Sequence, residues 1–268
     1  ILKMNDFINI NNKKIFYKKT GNGEPIILLH GITSSSNSWN DLFEDISKIR
    51  TVYLIDFRGH GFSDHFNSYK WSEFSEDIIF FINEIVGSKV DILGHSLGAC
   101  IAAQVASISQ KIINSIILED PPFFHHNRAG IEGISRRFKY NLSLAKSYNS
   151  KEEIIKIFCD NSKLSNVKNI ENIASNLSHL DYKVLEQTID GSALIGFDPT
   201  KIIKEISNIK TLLLVGNEKK TGDVIIKEEV DFMAKNLNDL SIKEFDCGHN
   251  IHEEKTKEFK EVVINFLK

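Results

Sequence analysis

The chain of 268 residues has few of the residues that break or staple a fold: four prolines, three cysteines and two tryptophans. Proline interrupts helices and central strands, so a chain carrying it only at Pro25, Pro121, Pro122 and Pro199 leaves long stretches free for regular structure. Cys100, Cys159 and Cys247 are odd in number and widely spaced, which excludes a fully paired disulfide framework and suits a reduced, cytoplasmic protein with inert buried thiols. No apolar run reaches the roughly 18 to 20 residues of a bilayer span. The opening ILKMNDFINI also lacks the basic, apolar and small-residue parts of a secretory leader, so the expectation is a soluble, untargeted chain. It opens at Ile1 and not at Met, which leaves the natural start open. Basic surplus is absent too: Lys+Arg 33 against Asp+Glu 36 gives a formal charge of −3, a poor basis for binding nucleic acid or an anionic membrane. What is present, 41% hydrophobic and 26% charged residues, is the mix of a folded globular protein with room for one large α/β domain or two small ones.

Between Gly23 and Pro121 short apolar runs alternate with amphipathic segments, the pattern of parallel strands joined by crossover helices. The strands read as Ile26 to His30, Thr51 to Asp56, Lys89 to Leu93 and Ser115 to Asp120. Trp71, Phe74, Ile78, Phe81, Ile82 and Ile85 fall at helical spacing between them. The alternation resumes after Pro199 with a strand at Thr211 to Val215, a helix from about Ile225 to Asn236, a strand at Ser241 to Phe245, and a last helix carrying Phe259, Val262, Val263 and Phe266 on one face. Residues 121 to 197 show no strand pattern and read as several short helices, such as Lys151 to Cys159 and Val167 to Leu177. The expected domains are therefore a core of residues 1–120 and 198–268 and a helical insertion, 121–197, over one sheet edge.

Three short motifs fall at strand ends. Gly94-His95-Ser96-Leu97-Gly98 lies between a strand and the apolar helical stretch Ala99 to Ile108; so tight a turn strains its central residue and presents the serine hydroxyl above the sheet. Leu97 N–H, opening the helix, points where an oxyanion would form. Leu28-Leu29-His30-Gly31-Ile32 lets the chain bend so that Ile32 N–H faces the same point. Asp246-Cys247-Gly248-His249-Asn250 follows the last strand, and a serine needs such an imidazole to take its proton and return it to a leaving group. His252, His125, His126 and His60 are read as surface or pocket-lining residues. Cys247, His249 and His252 lack a second ligand group at zinc spacing, so no metal is expected.

These motifs, with Asp56-Phe57-Arg58-Gly59-His60-Gly61-Phe62-Ser63 between them, make the chain resemble the α/β-hydrolase fold family over nearly its whole length. The resemblance implies an α/β-hydrolase fold: a mostly parallel eight-stranded sheet flanked by helices, with residues 121–197 as a cap. It also implies Ser96 as nucleophile, His249 as base, and Ile32 and Leu97 as oxyanion donors. The Asp56 to Ser63 run is read as a structural turn. One departure concerns the carboxylate that should orient His249. Its usual family position, three residues after Gly216, is Lys219, which cannot accept the bond. Asp120, where some relatives carry their acid, ranks first, Asp223 second, and Glu119, Glu218 and Asp246 follow; Glu119 is lowered because strand alternation sends it to the opposite face from Asp120.

The expected function is a serine hydrolase cleaving a small, partly apolar ester or related acyl substrate through a covalent acyl-enzyme, with no cofactor. Phe123, Phe124, Phe138, Tyr140 and Phe158 are candidates for the pocket wall or for packing within the insertion. The alternatives are C–C bond hydrolysis or lyase chemistry on the same scaffold, or a protein that binds a ligand without turning it over. The expected partner is a small molecule, with no nucleic acid and no membrane; the oligomeric state is left open.

Overall fold

In the computed structural model, residues 4–161 and 169–268 are described. Eight strands form one sheet in the order β1-β2-β4-β3-β5-β6-β7-β8. They are β1 (Met4–Ile10), β2 (Lys13–Gly21), β3 (Pro25–Leu29), β4 (Thr51–Ile55), β5 (Val90–His95), β6 (Ile113–Glu119), β7 (Lys210–Val215) and β8 (Leu240–Glu244). The pairs β1/β2 and β2/β4 are antiparallel, and every other pair is parallel. The central strands β3 and β5 are buried along their whole length, as expected of parallel strands covered by helices on both faces.

The β1–β2 hairpin is absent from the sequence-based expectation. Its turn residues Asn11 and Asn12 both have positive φ, 51° and 63°, the backbone of a two-residue hairpin turn that asparagine tolerates. An Asn-Asn step between two alternating runs is the signal that would have found it.

Helices α1 (Asn40–Ile46), α2 (Trp71–Phe81) and α3 (Leu97–Ile108) connect the first parallel strands. After β6 come α4 (His125–Ser147), α5 (Lys151–Asp160), α6 (Ile170–His179), α7 (Lys183–Ile189) and α8 (Pro199–Glu205). Then follow the short α9 (Glu218–Thr221), α10 (Lys227–Asn236), the short α11 (Ile251–Glu254) and α12 (Thr256–Leu267). On one face of the sheet α1 meets α12, and Trp39, Ile46, Phe259 and Val263 fill the contact. On the other, α3 lies across β5 and β6 and packs against α2 and α8.

Between 121 and 197 the described residues contain helices and no strand. They are not uniformly short, however: α4 runs for 23 residues, broken at Gly130 by a φ of 61° and ψ of 178°. The expected helix at Val167 to Leu177 begins outside the described residues; its described part is α6. Two further expectations need correction. Cys159 is exposed, while Cys100 and Cys247 are buried. His60 lies in neither surface nor pocket wall but is enclosed by His30, Phe57 and Phe74. Among the described residues no helix is long and apolar enough to cross a membrane.

Candidate active site

The carboxyl ends of β3, β5, β6 and β8 bring the motif residues to one place. Ser96 follows β5 with φ 53° and ψ −114°, a backbone that a non-glycine residue holds only when its surroundings enforce it. Those surroundings are tight. A Cβ on Gly94 would lie 2.2 Å from the Gly98 carbonyl oxygen, and one on Gly98 would lie 2.2 Å from that of Leu29; both positions therefore require glycine. Ser96 N–H donates to the Glu119 carbonyl on β6 at 2.9 Å, which ties the turn to the neighbouring strand. Leu97 N–H is the first donor of α3 and has no helical acceptor.

Asp120 follows β6, also at positive φ (46°), and its N–H donates to the Leu214 carbonyl at 2.8 Å. One carboxylate oxygen accepts Gly216 N–H at 3.1 Å; the other lies 2.6 Å from His249 Nδ1. Nδ1–H therefore donates to Asp120, leaving Nε2 as the lone-pair nitrogen. Among the described residues Nε2 has no hydrogen-bond partner, and the ring lines the same cavity as Ser96. Burial lowers the His249 pKa to about 3, with the charge of Arg137 acting in the same direction. Burial raises that of Asp120 to about 6, against the pull of Gly216 N–H. The imidazole is thus held neutral, the form in which it accepts a proton.

None of the other candidate acids is bonded to His249. Asp223 meets His125 and Arg128 through its carbonyl oxygen. Glu218 accepts Lys227 N–H at 3.3 Å, and Asp246 pairs with Lys220 at 2.7 Å. Lys219 lies in α9. Glu119 takes the opposite side from Asp120 and binds a different imidazole: both its oxygens lie within 2.9 Å of His252 Nδ1.

Two further histidines brace the floor. His30 Nε2 accepts Phe57 N–H at 3.1 Å while its Nδ1–H donates to the Gly31 carbonyl at 2.8 Å, which fixes the peptide ahead of Ile32. His95 Nε2–H donates to the His249 carbonyl at 3.1 Å. The loop from Asp56 to Ser63 is lashed by Asp56, whose oxygens accept Ser36 N–H at 2.6 Å and Phe62 N–H at 2.9 Å.

The cavity above these groups measures about 930 Å³. Ile32, His95, Ser96, Leu97 and His249 form its floor; Ile134, Arg137, Phe138, Asn141, Ile173 and Asn176 from α4 and α6 are in its wall. Of the five aromatic residues considered from sequence, only Phe138 lines it. Phe123 stacks on Phe197, Phe124 meets Phe232, and Tyr140 meets Phe158 edge-on, so these serve packing. Arg137 was missed because one cation on an amphipathic helix carries no periodic signal. His95, Glu119 and His252 place possible metal-ligand atoms within 4.8 Å of one another, yet Glu119 and His252 are already bonded to each other and His95 to the His249 carbonyl.

Strands in this order, with the motif residues gathered where the parallel ones end, form the α/β-hydrolase fold. Residues 24–141 match the alpha/beta hydrolase fold family. The chain is 26% identical to a probable alcohol acetyltransferase of Cyberlindnera fabianii over 276 residues, 91% of this chain and 72% of that one. Among solved structures, E-2-(acetamidomethylene)succinate hydrolase superposes with a TM-score of 0.79 at 17% identity, covering 99% of both chains. The esterase EaEST of Exiguobacterium antarcticum does so at 0.74 and 20%, covering 98% of this chain and 99% of its own.

Proposed function

We propose that the chain is a serine hydrolase cleaving a small, partly apolar ester or related acyl substrate through a covalent acyl-enzyme. Ser96 Oγ attacks the carbonyl carbon as His249 Nε2 takes the hydroxyl proton. Asp120 holds the imidazole in the required tautomer and stabilises the imidazolium. Ile32 and Leu97 N–H receive the oxyanion, and the imidazolium returns its proton to the leaving group. Water, deprotonated by His249, then releases the acid. Residues 121–197 act as the cap that shapes the pocket. The observation that carries this reading is the 2.6 Å contact of His249 Nδ1 with Asp120, on a ring sharing one cavity with Ser96.

The test is hydrolysis of short-chain 4-nitrophenyl esters by the wild type and by Ser96→Ala, with the intact mass of a fluorophosphonate adduct measured on each. Turnover and labelling that both disappear in the variant support the reading. A folded wild type showing neither would favour a binding protein, or C–C bond chemistry with a different substrate. The name of the Cyberlindnera relative favours one second reading, in which an alcohol intercepts the acyl-enzyme in place of water. Product analysis with added ethanol separates the two: ethyl ester in excess of free acid assigns transfer.

A further inference from the structure

Three of the chain's arginines, from buried Arg58 to exposed Arg128, meet carboxylates. Arg58 binds Asp77 through two contacts of 2.7 Å, Arg128 meets Glu229 at 2.6 Å, and Arg50 lies 3.6 Å from Asp91. Arg137 differs. Among the described residues it has no ion pair and no hydrogen bond, although it stands in the cavity wall and is the only lysine or arginine there. Its guanidinium is close enough to act on Asp120, His249 and His125. The cavity's glutamates do not answer it: Glu254 accepts Gly248 N–H at 3.0 Å, and Glu253 accepts from Asn250 at 3.3 Å.

A guanidinium presents a planar fork of donors that fits a carboxylate in two parallel bonds. In the same cavity Asn141 and Asn172 add amide donors, while Ile134, Phe138 and Trp71 supply apolar surface. We propose that Arg137 docks a carboxylate carried by the substrate, so that the preferred acyl compounds are small anionic esters or amides and not neutral ones. The proposal rests on the hydrolase reading and narrows its substrate class. An anion seated on Arg137 also removes the positive charge that opposes protonation of His249, so binding the right substrate readies the base for the Ser96 proton.

Two ester pairs test it, one for each side of the scissile bond: 4-nitrophenyl hydrogen succinate against 4-nitrophenyl butyrate, and 3-acetoxybenzoate against phenyl acetate. In the wild type kcat/KM should favour the anionic member of at least one pair by about 10- to 100-fold, the worth of a charge-assisted bond. Arg137→Gln should collapse that ratio toward one, chiefly through KM, and Arg137→Lys should restore part of it. A wild type without preference in either pair, or a preference that survives in Arg137→Gln, overturns the proposal. The anion site is also read without turnover. Succinate should raise the melting temperature of Ser96→Ala and not that of Ser96→Ala/Arg137→Gln. Esters and fluorophosphonate failing while this shift is present sinks the hydrolase reading alone; an absent shift sinks the anion site.

Discussion

The molecule contains the same chemical pair twice, a carboxylate against an imidazole, built from consecutive residues at one strand end and from two histidines three apart, one before α11 and one within it. Asp120–His249 opens on the cavity, with 18% of the His249 side chain exposed; Glu119–His252 is closed, with 3% and 0% exposed. Strand alternation separates them, since neighbouring side chains leave opposite faces. His95 stands between, its ring 4.7 Å from that of His249 and 5.0 Å from that of His252. Trp39 covers His252 at 4.6 Å, and His252 Nε2 makes no hydrogen bond, with the Glu253 carboxylate 3.9 Å away. Both rings edge the cavity; what distinguishes the pairs is the second ring nitrogen, which in His249 has no partner among the described residues and in His252 lies under Trp39 and 3.9 Å from Glu253. Under the proposed function the first pair serves the chemistry and the second braces the segment that carries His249.

The largest test of that division is Asp120→Asn. Asparagine tolerates positive φ and still accepts from Gly216, so folding should persist while kcat on a 4-nitrophenyl ester falls by about a thousand- to ten-thousand-fold. Glu119→Gln should do the reverse. Turnover should fall by less than about tenfold, while the denaturant midpoint drops by the equivalent of about 1–3 kcal/mol for a disrupted buried hydrogen bond. Equal activity losses in the two variants, with stability unchanged in both, would break the comparison.

The pH profile sharpens it. A base whose pKa is lowered from 6.5 toward 3 by burial and by Arg137 stays neutral at lower pH. The acid limb of kcat/KM for a neutral ester should therefore lie below pH 6.5, and Arg137→Gln should move it upward. A limb at or above 6.5 in the wild type would place the titrating group elsewhere.

The smallest effect belongs to the closed pair. Burial raises Glu119 from 4.5 to about 7, so this group alone would make stability fall as pH rises through that window. Burial lowers His252 from 6.5 to about 4, so stability would fall as pH drops through its window. The two slopes oppose each other between 4.5 and 6.5, so the pair's joint contribution is nearly flat there, on top of the fall toward acid that buried His30, His60 and His95 impose. Glu119→Gln removes one of them, so urea stability should fall more steeply in the variant than in the wild type as pH is lowered from 6.5 toward 4.5; equal slopes in the two would deny the pairing.

Much of this arrangement is legible in the sequence, for identifiable reasons. Strands β3 to β8 alternate with apolar helical stripes, and the turn around Ser96 is marked by glycines that only close backbone packing demands. The β1–β2 hairpin escapes because its first strand is mostly exposed and carries no apolar run. The spatial partner of His249 is a long-range fact, 129 residues away, so spacing ranks candidates without seating one. Arg137 and the Glu119–His252 pair are likewise products of tertiary contact: nothing local marks an arginine that lacks a partner or a glutamate that has found one.

The sheet's own amides hold the ends of Ser96 and Asp120: Ser96 N–H is bonded to Glu119 on β6, and Asp120 N–H to Leu214 on β7. Local fraying of the cavity helices α4 to α7 breaks neither bond. Both amides should exchange with deuterium only through global unfolding, while those of the wall exchange earlier. Heat would then open the pocket before it disorders the floor, and activity lost on brief warming should return on cooling for as long as the central strands remain paired.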